Sequence, residues 1–97
     1  MSYVFHPAAM QELDQAVDYY NEHGGNALAQ DFLNEVYRVV EMVHNNPGFG
    51  ASIGDQQRRY AIQRFPYSII FGPIPQGIRV LAIEHHKQRP AYWQGRK

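Results

Sequence analysis

The stretch YSIIFGPIPQGIRVLAIEH, residues 67–85, decides the fold. Residues 69–71 and 80–83 are apolar at successive positions, the mark of strands covered on both faces. Between them Pro73–Ile74–Pro75–Gln76–Gly77 reads as a hairpin connection. These two runs belong at the centre of a sheet. In the second run the odd positions are Arg79, Leu81, Ile83 and His85, and the even ones are Ile78, Val80, Ala82 and Glu84. Strict alternation therefore puts Arg79 and His85 on one face.

Upstream, Arg58, Tyr60, Ile62 and Arg64 alternate with Arg59, Ala61, Gln63 and Phe65, a third strand that Pro66 interrupts. The segment NPGFGASIGDQQ, residues 46–57, has three glycines and no period. It is expected to be a mobile loop that Phe49 and Ile53 pin to the core. Further back, Leu28, Phe32, Val36, Val39, Val40 and Val43 recur at helical spacing, with Asn26 as the expected cap and Asn45–Asn46–Pro47–Gly48 as the stop. Ala9, Leu13, Ala16, Val17 and Tyr20 mark a first helix from Pro7 to about Glu22, ended by Gly24–Gly25. His6 is a poor cap by composition. The two helices form an αα-hairpin with a joint of three or four residues, and Tyr3–Val4–Phe5 before them is a short strand. Pro90–Ala91–Tyr92–Trp93 reads as a short helical turn covering part of the sheet's other face.

The order β-α-α-β-β-β fits one α+β domain. For 97 residues and 11.2 kDa, surface scaling gives a folded area near ~5,700 Å² against ~16,000 Å² for the extended chain. No run approaches the ~18 apolar residues of a membrane span, the N-terminus lacks a basic region followed by an apolar one, and no cysteine is present. These features fit a cytoplasmic protein.

Charge is unevenly placed. Residues 1–56 hold eight carboxylates and only Arg38, a balance of −7, whereas residues 57–97 hold eight cations and only Glu84, a balance of +7. Two such halves either steer a charged partner to one face or neutralise each other within one domain. Zero net charge argues against sequence-blind binding to long nucleic acid.

Most site chemistries find no support. His85 and His86 are adjacent and point to opposite faces of a strand, so no metal site is expected. No nucleophile elbow surrounds Ser2, Ser52 or Ser68, and GFGASIG lacks phosphate-loop spacing. What remains is a cluster drawn from Arg58, Arg64, Arg79, His85 or His86, Arg89 and Tyr92, which could cradle a phosphate. RNA cleavage without metal further needs a base, an acid and a cation on the phosphorane oxygens, roles open to histidine and arginine. The bland alternative is that Arg58, Arg59 and Arg79 are rim cations and that one of the two histidines is a satisfied core group. Tyr92 and Trp93 either stack bases or plug the core.

Four pieces, HPAAMQELDQAVDYYNEHG, LAQDFLNEVYRVVEMVHNNPGFG, RRYAIQRFPYSIIF and IRVLAIEHHKQRPAYWQGR, keep an order and spacing that resembles the RelE/ParE toxin superfamily over nearly the whole chain. The closing pattern H-x-x-x-R-P-x-Y-W-x-x-R from His85, and Phe65–Pro66–Tyr67, point to its ParE-like toxins, long labelled plasmid stabilisation proteins. The resemblance implies one RelE/ParE-like α+β domain over residues 1–97. Its parts are an N-terminal strand and an αα-hairpin packed on a small antiparallel sheet of three to four strands. It also implies the toxin of a type II toxin–antitoxin system, inhibiting a target such as DNA gyrase and neutralised by a cognate antitoxin.

The implied target-binding residues are Arg58, Arg59, Arg79, His85, Arg89, Tyr92 and Trp93, with no cofactor, metal or membrane. The RelE-like alternative is a ribosome-dependent endoribonuclease acting on mRNA through His85, His86, Arg64, Arg79 and Tyr92. In that comparison the usual strand arginine falls on Pro66 or Tyr67. A third alternative is a non-catalytic antitoxin-binding protein. A homodimer or a toxin–antitoxin heterotetramer is compatible with an exposed first strand.

Overall fold

Pro7 at N1 starts helix α1 (Pro7–Gly24) as expected, but the cap is His6, whose Nδ1 accepts the Ala8 N–H at 3.0 Å. A poor cap by composition thus works by geometry, because the ring nitrogen satisfies an otherwise orphan first-turn donor. The joint to α2 (Asn26–Asn45) is Gly25 alone. Its φ of 88° lies where L-residues are strained, so glycine serves at once as C-cap of α1 and N-cap of α2, and Asn26 is the first helical residue, not the cap.

The computed structural model describes residues 2–97. Its sheet has five strands in the order β1-β5-β4-β3-β2, with β1 (Ser2–Phe5), β2 (Ala51–Ser52), β3 (Arg58–Ala61), β4 (Tyr67–Ile74) and β5 (Gly77–His85). The expected small antiparallel sheet is therefore larger and mixed: β1 runs parallel to β5, while the other pairs are antiparallel. Gly77 makes the β1 contact possible, since a Cβ there would sit 1.9 Å from the Ser2 carbonyl oxygen. The segment expected as a plain loop supplies β2 and a tight turn at 54–57, and Phe49, 47% exposed, does not pin it. Ile53 does pack inward, against a cluster on the face away from the helices.

Strand β3 stops at Ala61, four residues short of expectation. Ile62 donates to the Tyr67 carbonyl, Arg64 takes φ 73°, and both Ile62 and Phe65 turn into the core. In β5 a bulge changes the alternation: Ile70 pairs with Ala82 but Phe71 with Val80, leaving Leu81 extra. Ile78, Val80 and Ile83 pack under the helices, while Leu81 and Ala82 join Ile70 and Trp93 on the opposite face.

The main core lies between hairpin and sheet. Phe32 sits at its centre, fully buried against Tyr20, Phe65 and Tyr67. The exposed area of 5782 Å² is close to what surface scaling gives for a folded chain of this mass. No described helix is long and apolar enough to cross a membrane.

Candidate functional site: a tyrosine-walled groove and a latched tail

β1 ends at Phe5, so β5 loses its neighbour beyond Val80, whose carbonyl still accepts the His6 N–H. An unpaired edge of this kind must satisfy its backbone groups elsewhere. Glu12 of α1 accepts the Ile83 N–H at 3.0 Å, and Arg96 donates to the Leu81 carbonyl at 3.0 Å and to both Glu12 oxygens at 3.1 and 3.0 Å. The Tyr92 hydroxyl lies 3.5 Å from the Ile83 carbonyl, and its ring lies under the Arg96 guanidinium. Side chains do here what a sixth strand would do with its backbone.

Beside this edge lies a groove of about 550 Å³ between α1, β5 and the 65–67 turn. Glu12, Gln15, Tyr19 and Tyr20 line it from α1, Tyr67 and His85 form its floor, and Gln88 and Tyr92 form its far wall. Burial raises the Tyr20, Tyr67 and Tyr92 hydroxyls above the usual tyrosine range, and for Tyr92 the negative charge of Glu12 adds to it. These phenols stay neutral near pH 7 and serve as hydrogen-bonding groups.

His85 is fixed as well. The Lys87 N–H donates to its Nδ1 at 3.0 Å, which occupies that lone pair and leaves the proton of the neutral ring on Nε2. In this tautomer the ring offers a donor at Nε2.

The opposite sheet face carries a second constellation. Glu84 is 7% exposed, and it accepts Arg59 Nε at 2.9 Å, Arg59 Nη2 at 3.2 Å and Trp93 Nε1 at 2.9 Å. The ring of Trp93, 3% exposed, packs on Ile70, Leu81 and Ala82. Nearby, Ser68 Oγ and His86 Nε2 lie 3.0 Å apart.

The fold thus divides the residues singled out in the sequence. Arg59, His86 and Trp93 gather on the face away from the helices, and Arg79 lines a separate hollow there with Arg96 and Lys97. His85 and Tyr92 lie in the groove on the helix side. Arg58 donates to the Gly50 carbonyl at 3.0 Å near Pro47 and Phe71, and Arg64 pairs with Asp31 of α2 at 3.3 Å. Arg89 is exposed in the tail. The expected single phosphate cradle is not built, because the bulge at Leu81 turns His85 to the face opposite Arg79 and the early end of β3 carries Arg64 to α2. Among the described residues no three His, Cys, Asp or Glu side chains gather as metal ligands would.

Sequence reasoning missed Glu12, Tyr19, Tyr20 and Tyr67 as site residues. The signal was present: Glu12, Gln15, Ala16 and Tyr19 form one i, i+3, i+4, i+7 row, with the carboxylate sharing the side of the helix that faces β5.

The hairpin on a mixed five-stranded sheet, with its groove and folded-back tail, defines a toxin-type domain of the RelE/ParE superfamily. The chain belongs to the ParE toxin family, described as the ParE toxin of type II toxin–antitoxin system, parDE, whose model matches residues 3–90. Among solved structures it is similar to a chain of the chromosomal ParDE TA system from P. aeruginosa. That match has 25% identity and a TM-score of 0.76, and it covers 88% of this chain and 95% of the other. No curated protein matches it in sequence.

Proposed function

We propose that this chain is the toxin of a cytoplasmic type II pair, held inactive by a cognate antitoxin, and that it acts by gripping an essential protein target, DNA gyrase, without cutting RNA. The observation that carries the non-cleaving part is the division of the chemistry. A 2′-hydroxyl base, a leaving-group acid and a phosphate-binding arginine must meet within hydrogen-bond reach of one phosphodiester. Here Arg64, Arg79 and His85 lie on separate surfaces, and Nδ1 of His85 is committed to the Lys87 N–H.

The target surface in this reading is the face away from the helices, contacted through Arg79, Arg89 and the exposed rim around His86. Arg59 and Trp93 hold that face in shape. The antitoxin takes the helix side. Helix α1 carries Glu12, Asp14, Asp18 and Glu22 with no lysine or arginine, and it borders the tyrosine groove, which suits a basic amphipathic segment.

The test is gyrase supercoiling with purified toxin. Inhibition that added antitoxin relieves supports the reading, and unaffected supercoiling at many-fold molar excess refutes it. Cleavage of ribosome-bound message that disappears on replacing His85 and His86 would establish the ribonuclease instead. Growth unaffected by expression would leave a non-catalytic antitoxin-binding protein.

A further inference from the structure

The groove on the helix side and the Glu84 network on the other face are linked by one piece of chain, residues 86–97. Gln88 and Tyr92 form the groove's far wall, whereas Trp93, the next residue, is buried on the opposite face. Two consecutive side chains thus straddle the edge of β5. Ala91 takes φ 57° immediately before them, a conformation that costs an L-residue free energy and persists only where its surroundings enforce it. The enforcing contacts are the Trp93–Glu84 hydrogen bond, held in turn by Arg59, and the Arg96 bonds to Glu12 and Leu81.

We propose that the C-terminal segment is a strap latched by Arg59–Glu84–Trp93 on one face of the sheet so as to fix Tyr92 and Gln88 as the wall of the groove on the other. Arg59 and Glu84, which border Gln88 in the hollow on their own face, are then positioning residues for Tyr92 in a groove that they do not line. The role of the groove as the antitoxin's seat rests on the function proposed above; the latch does not.

The latch also closes the β5 edge. With the strap in place, Arg96 bonds the Leu81 carbonyl and holds both oxygens of Glu12, the α1 carboxylate that accepts the Ile83 N–H. If the latch is undone, Arg96 and Tyr92 are held only by their own contacts. The groove wall and the edge cover then loosen together, while β3, β4 and the helix pair retain their ladders and core.

Amide hydrogen exchange on the full chain tests this, with Arg59→Met as the perturbation and Arg38→Met on α2 as the control for lost charge. Arg59→Met is expected to speed exchange across residues 86–96 and at the Ile83 amide by on the order of tenfold or more, equivalent to about 1.4 kcal/mol of lost local protection. The centre of α2 should lose protection only by the fall in global stability, and in urea its exchange should track global unfolding while that of the strap does not. A 3-fluorotyrosine signal from Tyr92 should shift with it, although Arg59 lies across the sheet. Should Arg59→Met fold poorly, Trp93→Phe keeps the ring and removes only the N–H donor, and it should produce the same local pattern at smaller amplitude.

Unchanged exchange in the strap, strap exchange that tracks global unfolding in urea as that of α2 does, or an unmoved Tyr92 signal would each overturn the latch. Binding of the cognate antitoxin is read separately. Tyr19→Ala, at an exposed residue of the groove, should weaken it without altering strap exchange, and Arg59→Met should weaken it through the strap. Normal antitoxin binding by Tyr19→Ala would sink the groove reading alone.

Discussion

Replacing either partner of the Glu84–Arg59 pair should destabilise the fold by different amounts, and the order follows from burial. The Glu84 side chain is 9% exposed and that of Arg59 is 39% exposed. Arg59→Met leaves a buried carboxylate with one remaining donor, Trp93 Nε1. Breaking a buried pair in this way costs roughly 3–5 kcal/mol, and the surviving indole bond favours the lower end, about 3. Glu84→Gln keeps the shape and an acceptor for Trp93, and Arg59 can turn to water. The loss is then the charge assistance of its bonds, about 1–1.5 kcal/mol.

The double variant should cost little more than Glu84→Gln alone, because no uncompensated buried charge remains. For a domain of this size, 3 kcal/mol lowers the melting temperature by roughly 12–20 °C. Urea unfolding at pH 7 followed by far-ultraviolet circular dichroism measures all three. If Glu84→Gln proves as costly as Arg59→Met, or if the two losses simply add, the asymmetry argument fails.

Much of the fold is legible in the sequence. The double-sided apolar runs at 69–71 and 80–83 identified the central strands, and the stripes from Ala9 to Tyr20 and from Leu28 to Val43 identified the helix pair. What was not legible depends on single residues whose effect is geometric. Leu81 as a bulge cannot be told from Leu81 as an alternating residue when its neighbours on both sides are apolar, yet it reverses the face of His85. Likewise Asp55 and Gln56, with φ of 44° and 67°, occupy positions of a turn that usually takes Asn-Gly, so the hairpin carrying β2 was hidden by its own poor turn chemistry. The strap was half legible: Tyr92 and Trp93 stood out, but that one would face the groove and the other the opposite side depended on the left-handed turn at Ala91.

Three further perturbations follow from the same contacts. Gly77→Ala should destabilise by at least about 2 kcal/mol, because its Cβ would strike the Ser2 carbonyl oxygen at 1.9 Å. Hydrogen exchange in residues 2–5 should rise with it, and a stable variant with a protected β1 would refute the close approach. His44→Leu should stabilise by about 1 kcal/mol, since both ring nitrogens of His44 are buried with no hydrogen-bond partner among the described residues. A loss in chemical denaturation would mean that the ring's edge contact with Tyr3 outweighs that cost.

The last perturbation is alkaline pH. Tyr3, Tyr20, Tyr67 and Tyr92 all hold their protons more tightly in the fold than the ordinary value of 10.0, first because burial penalises the phenolate and, for Tyr92, also because Glu12 is close. A group whose pKa is raised by folding contributes stability that is complete below its unfolded value and is lost as pH climbs toward the folded one. Stability should therefore be level up to about pH 9 and fall steeply above pH 10. Tyr92→Phe keeps the ring under Arg96 and removes the most strongly shifted hydroxyl, so its stability should decline less between pH 10 and 11 than that of the parent chain. Parallel declines would mean that the Tyr92 hydroxyl reaches water in the folded protein, and the closed wall of the groove would then be open.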